Sequence, residues 1–231
     1  MKPVNNAISE SVRLQASRVS LEGDLELPGG AVGVILFAHG SGSSRHSVRN
    51  RAVAEVLRSA GLGTLLFDLL SSAEEAIDAR TMGLRFDIAL LAERLVCAVD
   101  FVAKRTGASG LPAGLFGAST GSAAALVAAA QRPAKVGAVV SRGGRPDLAD
   151  TSLPLVAAPT LLIVGGNDTE VLALNRRAQK ALRCENKLEI VPGASHLFEE
   201  PGALNEVARL AGDWFLQKLA RDWASATPTT K

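Results

Sequence analysis

Tyrosine is absent from this chain of 231 residues, cysteine occurs twice and histidine three times. Each shortage excludes something. Without tyrosine, one common side-chain donor to an oxyanion or a substrate is missing. Cys97 and Cys184 are far apart in helix-like runs, so they read as free thiols in a reducing compartment. They do not make a disulfide framework or a metal site. No apolar run reaches the roughly 18 residues of a membrane span. The opening Met1 to Asn6 has no apolar stretch of the kind a secretory leader needs. The expectation is a cytoplasmic chain with no membrane partner. Charge of one sign is also scarce: 25 Lys and Arg against 23 Asp and Glu leave a formal net charge of +2. That balance argues against a nucleic-acid partner.

What is present suits a globular enzyme-sized domain, with 47% hydrophobic and 21% charged residues. Residues 12–27 alternate apolar and polar side chains around Glu22-Gly23-Asp24, which predicts an antiparallel hairpin turning at Gly23. Apolar runs then recur at residues 32–38, 63–67, 112–116, 136–140 and 160–164, and residues 188–191 read as a last strand. Such runs suit strands buried on both faces. Between most of them lie helical periodicities: Val53, Val56, Leu57 and Ala60; Ile88 to Val102; Val171 to Leu182; and residues 201–219. Thr120 to Ala130 reads as a helix of small residues. Residues 71–85 show no such pattern and read as a long connection at a substrate rim. The alternation predicts a single α/β domain over residues 11–220. Its mostly parallel sheet of about eight strands has helices on both faces and no large cap. Residues 1–10 and 221–231 are expected to be flexible ends.

Polar loops follow the carboxyl ends of the strands, where open α/β sheets bind ligands. The most informative is Gly117-Ala118-Ser119-Thr120-Gly121, a Gly-x-Ser-x-Gly between strand and helix. Glycines two residues to either side let the chain turn sharply and leave the Ser119 hydroxyl unobstructed. A serine nucleophile needs a base, and an acid to orient that base, in the chain order Ser, acid, His. Asp168 follows the strand at 160–164, and His196 follows the one at 188–191. His196 is the one histidine downstream of Ser119. Asp147 and Asp150 compete for the acid position, and Asp168 could instead cap a helix. Its place directly after a strand favours it as the acid.

The oxyanion donors expected are the backbone N–H groups of Thr120 and of Ser41 in the His39-Gly40-Ser41-Gly42 turn, with Gly42 as the fallback. Arg45, Arg142 and Arg145 are candidate substrate contacts. Arg142 and Arg145 follow a strand end and could bind a substrate carboxylate; the alternative is that they pair with nearby acids.

These segments together resemble the α/β-hydrolase superfamily and are similar to the dienelactone hydrolase family. They are residues 37–46, 116–121, 141–147, 161–168 and 195–202, which span nearly all of the chain from residue 30 onward. The resemblance implies hydrolysis of a carboxylic ester or lactone without metal or cofactor. The arginines point to a substrate that can be anionic, and the chain is expected as a monomer or small homo-oligomer. One departure stands out. Characterised members use a cysteine nucleophile, whereas this chain has Ser119 and neither cysteine at an elbow. A serine esterase is therefore the expectation.

Two other readings are open. Gly40-Ser41-Gly42 imitates a dinucleotide-binding fingerprint, but Arg45 stands where the third glycine should be. A non-catalytic protein of the same fold, binding a ligand or partner, needs no complete triad.

Overall fold

The computed structural model describes residues 7–105 and 107–225. Among them, eight strands form one sheet in the order β1-β2-β4-β3-β5-β6-β7-β8. They are β1 (Ile8–Ala16), β2 (Val19–Leu27), β3 (Val34–Ala38), β4 (Gly63–Phe67), β5 (Ala113–Ala118), β6 (Val136–Arg142), β7 (Thr160–Gly165) and β8 (Asn186–Val191). The β1–β2 and β2–β4 pairings are antiparallel, and those from β4 through β3 to β8 are parallel. This is the expected architecture: a single α/β domain whose parallel sheet is prefaced by an antiparallel hairpin.

Strand pleating explains why the middle strands are apolar throughout. In β3, Val34, Leu36 and Ala38 enter one core, while Ile35 and Phe37 enter the other. Each face therefore needs its own cover. On one side, α1 (Val48–Ser59) and α6 (Ala203–Ser225) pack Leu57, Val207 and Phe215 against Ile35, Phe37 and Phe116. On the other, α3 (Ile88–Lys104), α4 (Thr120–Gln131) and α5 (Thr169–Ala181) contribute Leu95, Leu126 and Ala178. Helix α4 is rich in alanine and buried on nearly every side, so it can lie close to the sheet. That closeness brings its N-terminus to the end of β5.

Four expectations change. The hairpin turns at Ser17-Arg18, with Ala16 opposite Val19, not at Gly23. The buried positions of β2 run unbroken through Leu21, Gly23, Leu25 and Leu27. Gly23 instead makes room for β4, since a Cβ there would stand 2.9 Å from Phe67 Cβ. Residues 71–85 are not one loop, because α2 (Ser72–Thr81) forms within them. Its start is fixed by a capping box in which Ser71 and Glu74 exchange bonds, Ser71 N–H to Glu74 Oε2 at 2.8 Å and Glu74 N–H to Ser71 Oγ at 3.3 Å. Of the residues 1–10 expected to be flexible, Ile8, Ser9 and Glu10 belong to β1, paired with Leu27, Glu26 and Leu25. Likewise α6 continues through residues 221–225 of the expected tail. Residues 1–6 and 226–231 lie outside the described residues.

Candidate active site

Ser119 sits between β5 and α4 with φ 51° and ψ −121°, a backbone conformation that side chains disfavour. Its neighbours impose it. A Cβ at Gly117 would stand 2.7 Å from Gly121 O, and one at Gly121 would stand 2.5 Å from His39 O. The turn is tied down from both directions. Ser119 N–H donates to Arg142 O at 3.2 Å, while Ser119 O accepts from Ser122 N–H and Arg145 N–H, each at 3.1 Å.

Asp168 follows β7 and occupies the position before the first turn of α5, but its side chain does not cap that helix. Instead Asp168 Oδ2 accepts from His196 Nδ1–H at 2.6 Å. His196 comes from the loop after β8. Asn167 holds that loop, its backbone N–H donating to Ala194 O at 2.9 Å and its amide to Gly193 O at 2.8 Å. Ser195 N–H donates to Glu200 Oε1 at 3.0 Å, which holds the Glu200 carboxyl below the usual range. With Nδ1 bonded to the carboxylate, Nε2 is the ring nitrogen left to act on something else. Ser119 and His196 line one cavity of about 250 Å³. Among the described residues, Ser119 Oγ takes part in no hydrogen bond.

The turn at residues 39–42 lies beside α4. Ser41 Oγ and Thr120 Oγ1 are hydrogen-bonded at 2.9 Å. Thr120 N–H opens α4 and has no partner within the helix. His39 braces the turn: Nδ1–H donates to Gly40 O at 3.0 Å and Nε2 accepts from Leu69 N–H at 3.1 Å. Burial lowers its pKa, so the imidazole is neutral in the tautomer those two bonds require. Gly42 has φ +67°.

The three arginines differ. Arg45 is held by Asp68 and Glu22, and Arg145 by Asp147 through two bonds of 2.9 and 2.7 Å. Neither lines a cavity shared with Ser119. Arg142 does line that cavity, and burial pushes its pKa down to about 10, with the nearby Arg49 charge adding to the effect.

A larger cavity of about 540 Å³ opens on the other side of the same turn. Leu69, Leu70 and Leu91 line its apolar part, and Glu75, Asp78 and Arg85 are among its polar lining. Gly40, Ser41, Ser43 and Ser47 border both cavities. Asp78 and Arg85 went unnoticed in the sequence, as did Asn50, which lines the smaller cavity. Asn50 had a signal: it shares the buried stripe of α1 with Val53, Ala54 and Leu57, where an asparagine is out of place. Arg85 and Asp78 had none, because α2 itself carries no apolar stripe.

A parallel sheet with a serine on a strand–turn–helix elbow and a His–Asp pair on later loops defines an α/β hydrolase. The sequence model of the Dienelactone hydrolase family matches residues 28–217, and the chain belongs to that family. A crystal structure of dienelactone hydrolase from Anabaena variabilis is 58% identical, with a TM-score of 0.90 over 92% of this chain and 98% of that one. Est1E from Butyrivibrio proteoclasticus is 16% identical with a TM-score of 0.75, covering 91% of this chain and 99% of its own, a likeness of fold alone. A Mycobacterium tuberculosis protein with the provisional name phosphoribosyl transferase is 56% identical over 210 residues, 91% of this chain. The chain spans only 46% of that relative's length. Among the described residues, no group of three or more His, Cys, Asp or Glu could hold a metal ion. No described helix is long and apolar enough to cross a membrane.

Proposed function

We propose that the chain is a serine hydrolase of small carboxylic esters or lactones. The observation that carries this reading is the 2.6 Å bond between His196 Nδ1 and Asp168 Oδ2, made by two groups from separate loops beside the strained Ser119. In this reading His196 Nε2 takes the Ser119 proton as Oγ attacks the substrate carbonyl. Asp168 fixes the tautomer and stabilises the imidazolium that results. The oxyanion forms against the N–H groups of Thr120 and Ser41, with the positive end of α4 beneath it. Collapse of the tetrahedral intermediate passes the proton from His196 to the leaving alcohol and leaves an acyl group on Ser119. Water, deprotonated by His196, then releases the acid. No metal or cofactor enters any step.

The test is intact-protein mass spectrometry after fluorophosphonate treatment, with Ser119→Ala as control, followed by a panel of esters and lactones. One adduct, absent from the variant, is expected. A folded protein that forms no adduct would refute the reading and leave a ligand- or partner-binding protein of the same fold.

A further inference from the structure

Helix α5 has one residue out of keeping with its buried face. Val171, Asn175 and Ala178 form that face, and Asn175 is 0% exposed. Both hydrogens of its amide are used. Nδ2–H donates to Val171 O in its own helix at 2.8 Å and to Gly144 O, in the loop after β6, at 2.9 Å. Two carbonyl partners fix the orientation of the amide, because a flip would set oxygen against oxygen. Oδ1 is then left buried without a partner. A buried acceptor left unpaired destabilises a fold, and a valine or leucine would cover the sheet here without that cost. The asparagine needs another reason.

That reason lies in what Gly144 adjoins. On one side, Gly143 N–H donates to Ile163 O of β7 at 2.8 Å. Gly143 has φ +51° and lies against His196: a Cβ there would stand 3.0 Å from His196 O and 3.6 Å from the ring atom Cε1. On the other side, Arg145 N–H donates to Ser119 O at 3.1 Å. Gly144 itself packs onto the start of α4, where a Cβ would meet Ser122 Oγ at 2.5 Å. Residues 143–145 are thus a short strap with His196 at one end and Ser119 at the other. Among the described residues, Asn175 is the hydrogen-bond donor to its middle carbonyl. Asn175 also stands on the helix that Asp168 opens.

We propose that Asn175 is a positioning residue for the hydrolytic site: by holding Gly144 O it fixes the strap, and with it the place of Ser119 relative to His196 and Asp168. The proposal rests on the hydrolase reading. Asn175 lines neither cavity of the site, so it acts through the backbone of the strap and not by touching a substrate. The nucleophile is carried by the end of β5, whereas the base and its acid are carried by the loops after β8 and β7. The two groups need a common reference, and the strap is bonded to one and packed against the other. Proton transfer from Ser119 Oγ to His196 Nε2 depends steeply on their separation, and a misplacement of about 1 Å can lower the rate about 100-fold.

The test is Asn175→Leu, which keeps the size of the side chain and the apolar face but loses both donors. It removes the unpartnered Oδ1 at the same time as it strands Gly144 O, so Tm should stay within about 5 °C of the parent. The second-order rate constant for fluorophosphonate labelling of Ser119 should fall by about 10- to 100-fold. A rate constant is not lowered by a misfolded fraction, so a merely structural role would leave it unchanged. For p-nitrophenyl butyrate, kcat should fall by the same factor while KM stays within about two-fold of the parent. Should Asn175→Leu not fold, Asn175→Ser takes its place. A serine within a helix bonds back to the carbonyl four residues earlier, here Val171 O, and is too short to reach Gly144. It should label as slowly.

Labelling of either folded variant at the parent rate overturns the proposal, and so does a raised KM at unchanged kcat. If neither variant folds, Asn175 serves the fold alone and the proposal fails. A parent that forms no adduct refutes the hydrolase reading and this positioning role together. A labelled parent with equally fast variants refutes the positioning role and leaves the hydrolase reading standing.

Discussion

The backbone at Ser119 stores energy that can be measured. Its φ of 51° and ψ of −121° suit glycine, and a side chain held there costs about 1–3 kcal/mol. Ser119→Gly releases that strain and adds backbone freedom to the unfolded chain, which costs about 0.5–1 kcal/mol. The net is a gain of about 1 kcal/mol, or roughly 2–4 °C in Tm for a domain of this size. Ser119→Ala is the necessary partner. It keeps the Cβ and hence the strain. The Oγ it deletes takes part in no hydrogen bond among the described residues, so its stability should match the wild type. Both variants should lose ester turnover and labelling. Calorimetric melting of the three proteins side by side isolates the strain as the glycine-minus-alanine difference. If the glycine variant melts at or below the alanine variant, the elbow is not strained and this account of its geometry fails.

Gly121→Ala drives a Cβ to 2.5 Å from His39 O, against backbone that cannot withdraw. It should cost about 1–3 kcal/mol in urea unfolding and slow fluorophosphonate labelling of Ser119. Asp168→Asn can offer its amide N–H to Nδ1 and so reverse the His196 tautomer; kcat/KM should fall by about 10³- to 10⁴-fold while the melting curve barely moves. Asp100 tests electrostatics far from the site: hydrogen bonds from Arg132 and then Lys135 hold its carboxyl down to about 2. A lowered acid pKa stabilises the fold above the ordinary carboxylate value of about 4, and that contribution fades as pH falls towards about 2. With both partners about a third exposed, the effect is about 1 kcal/mol. Asp100→Asn should therefore lower the urea midpoint at about pH 5, and the difference from wild type should close only as pH falls below about 2.

Most of the fold was legible because the buried strands are nearly continuous apolar runs and most covering helices carry an apolar stripe. The hairpin turn was misplaced because Gly23 attracts attention as a turn former. The better signal was parity: apolar positions are even through Val12, Leu14 and Ala16, then odd through Val19, Leu21, Leu25 and Leu27. Helix α2 escaped because it buries only Asp78 and has no apolar stripe; its Ser71-x-x-Glu74 cap was the available sign. Within the site, Ser119, Asp168 and His196 could be found because chain order and post-strand position constrain them. Arginine roles could not be assigned that way. Whether an arginine is paired depends on acids brought near by folding, as Asp68 is for Arg45, and no spacing rule foretells an arginine left without one.

The transferase name carried by the Mycobacterium tuberculosis relative need not compete with a hydrolase site. This chain covers 91% of its own length in that match but 46% of the relative's. The family match lies within residues 28–217 of this chain. More than half of the relative therefore has no counterpart here, and a name given to the whole protein can describe that other part. We infer that hydrolase chemistry follows the shared segment. Fluorophosphonate labelling of the intact relative, followed by proteolysis, should place the adduct on the serine aligned with Ser119. An adduct confined to the unshared half would show that the shared segment does other work, and would count against a serine hydrolase in this chain as well.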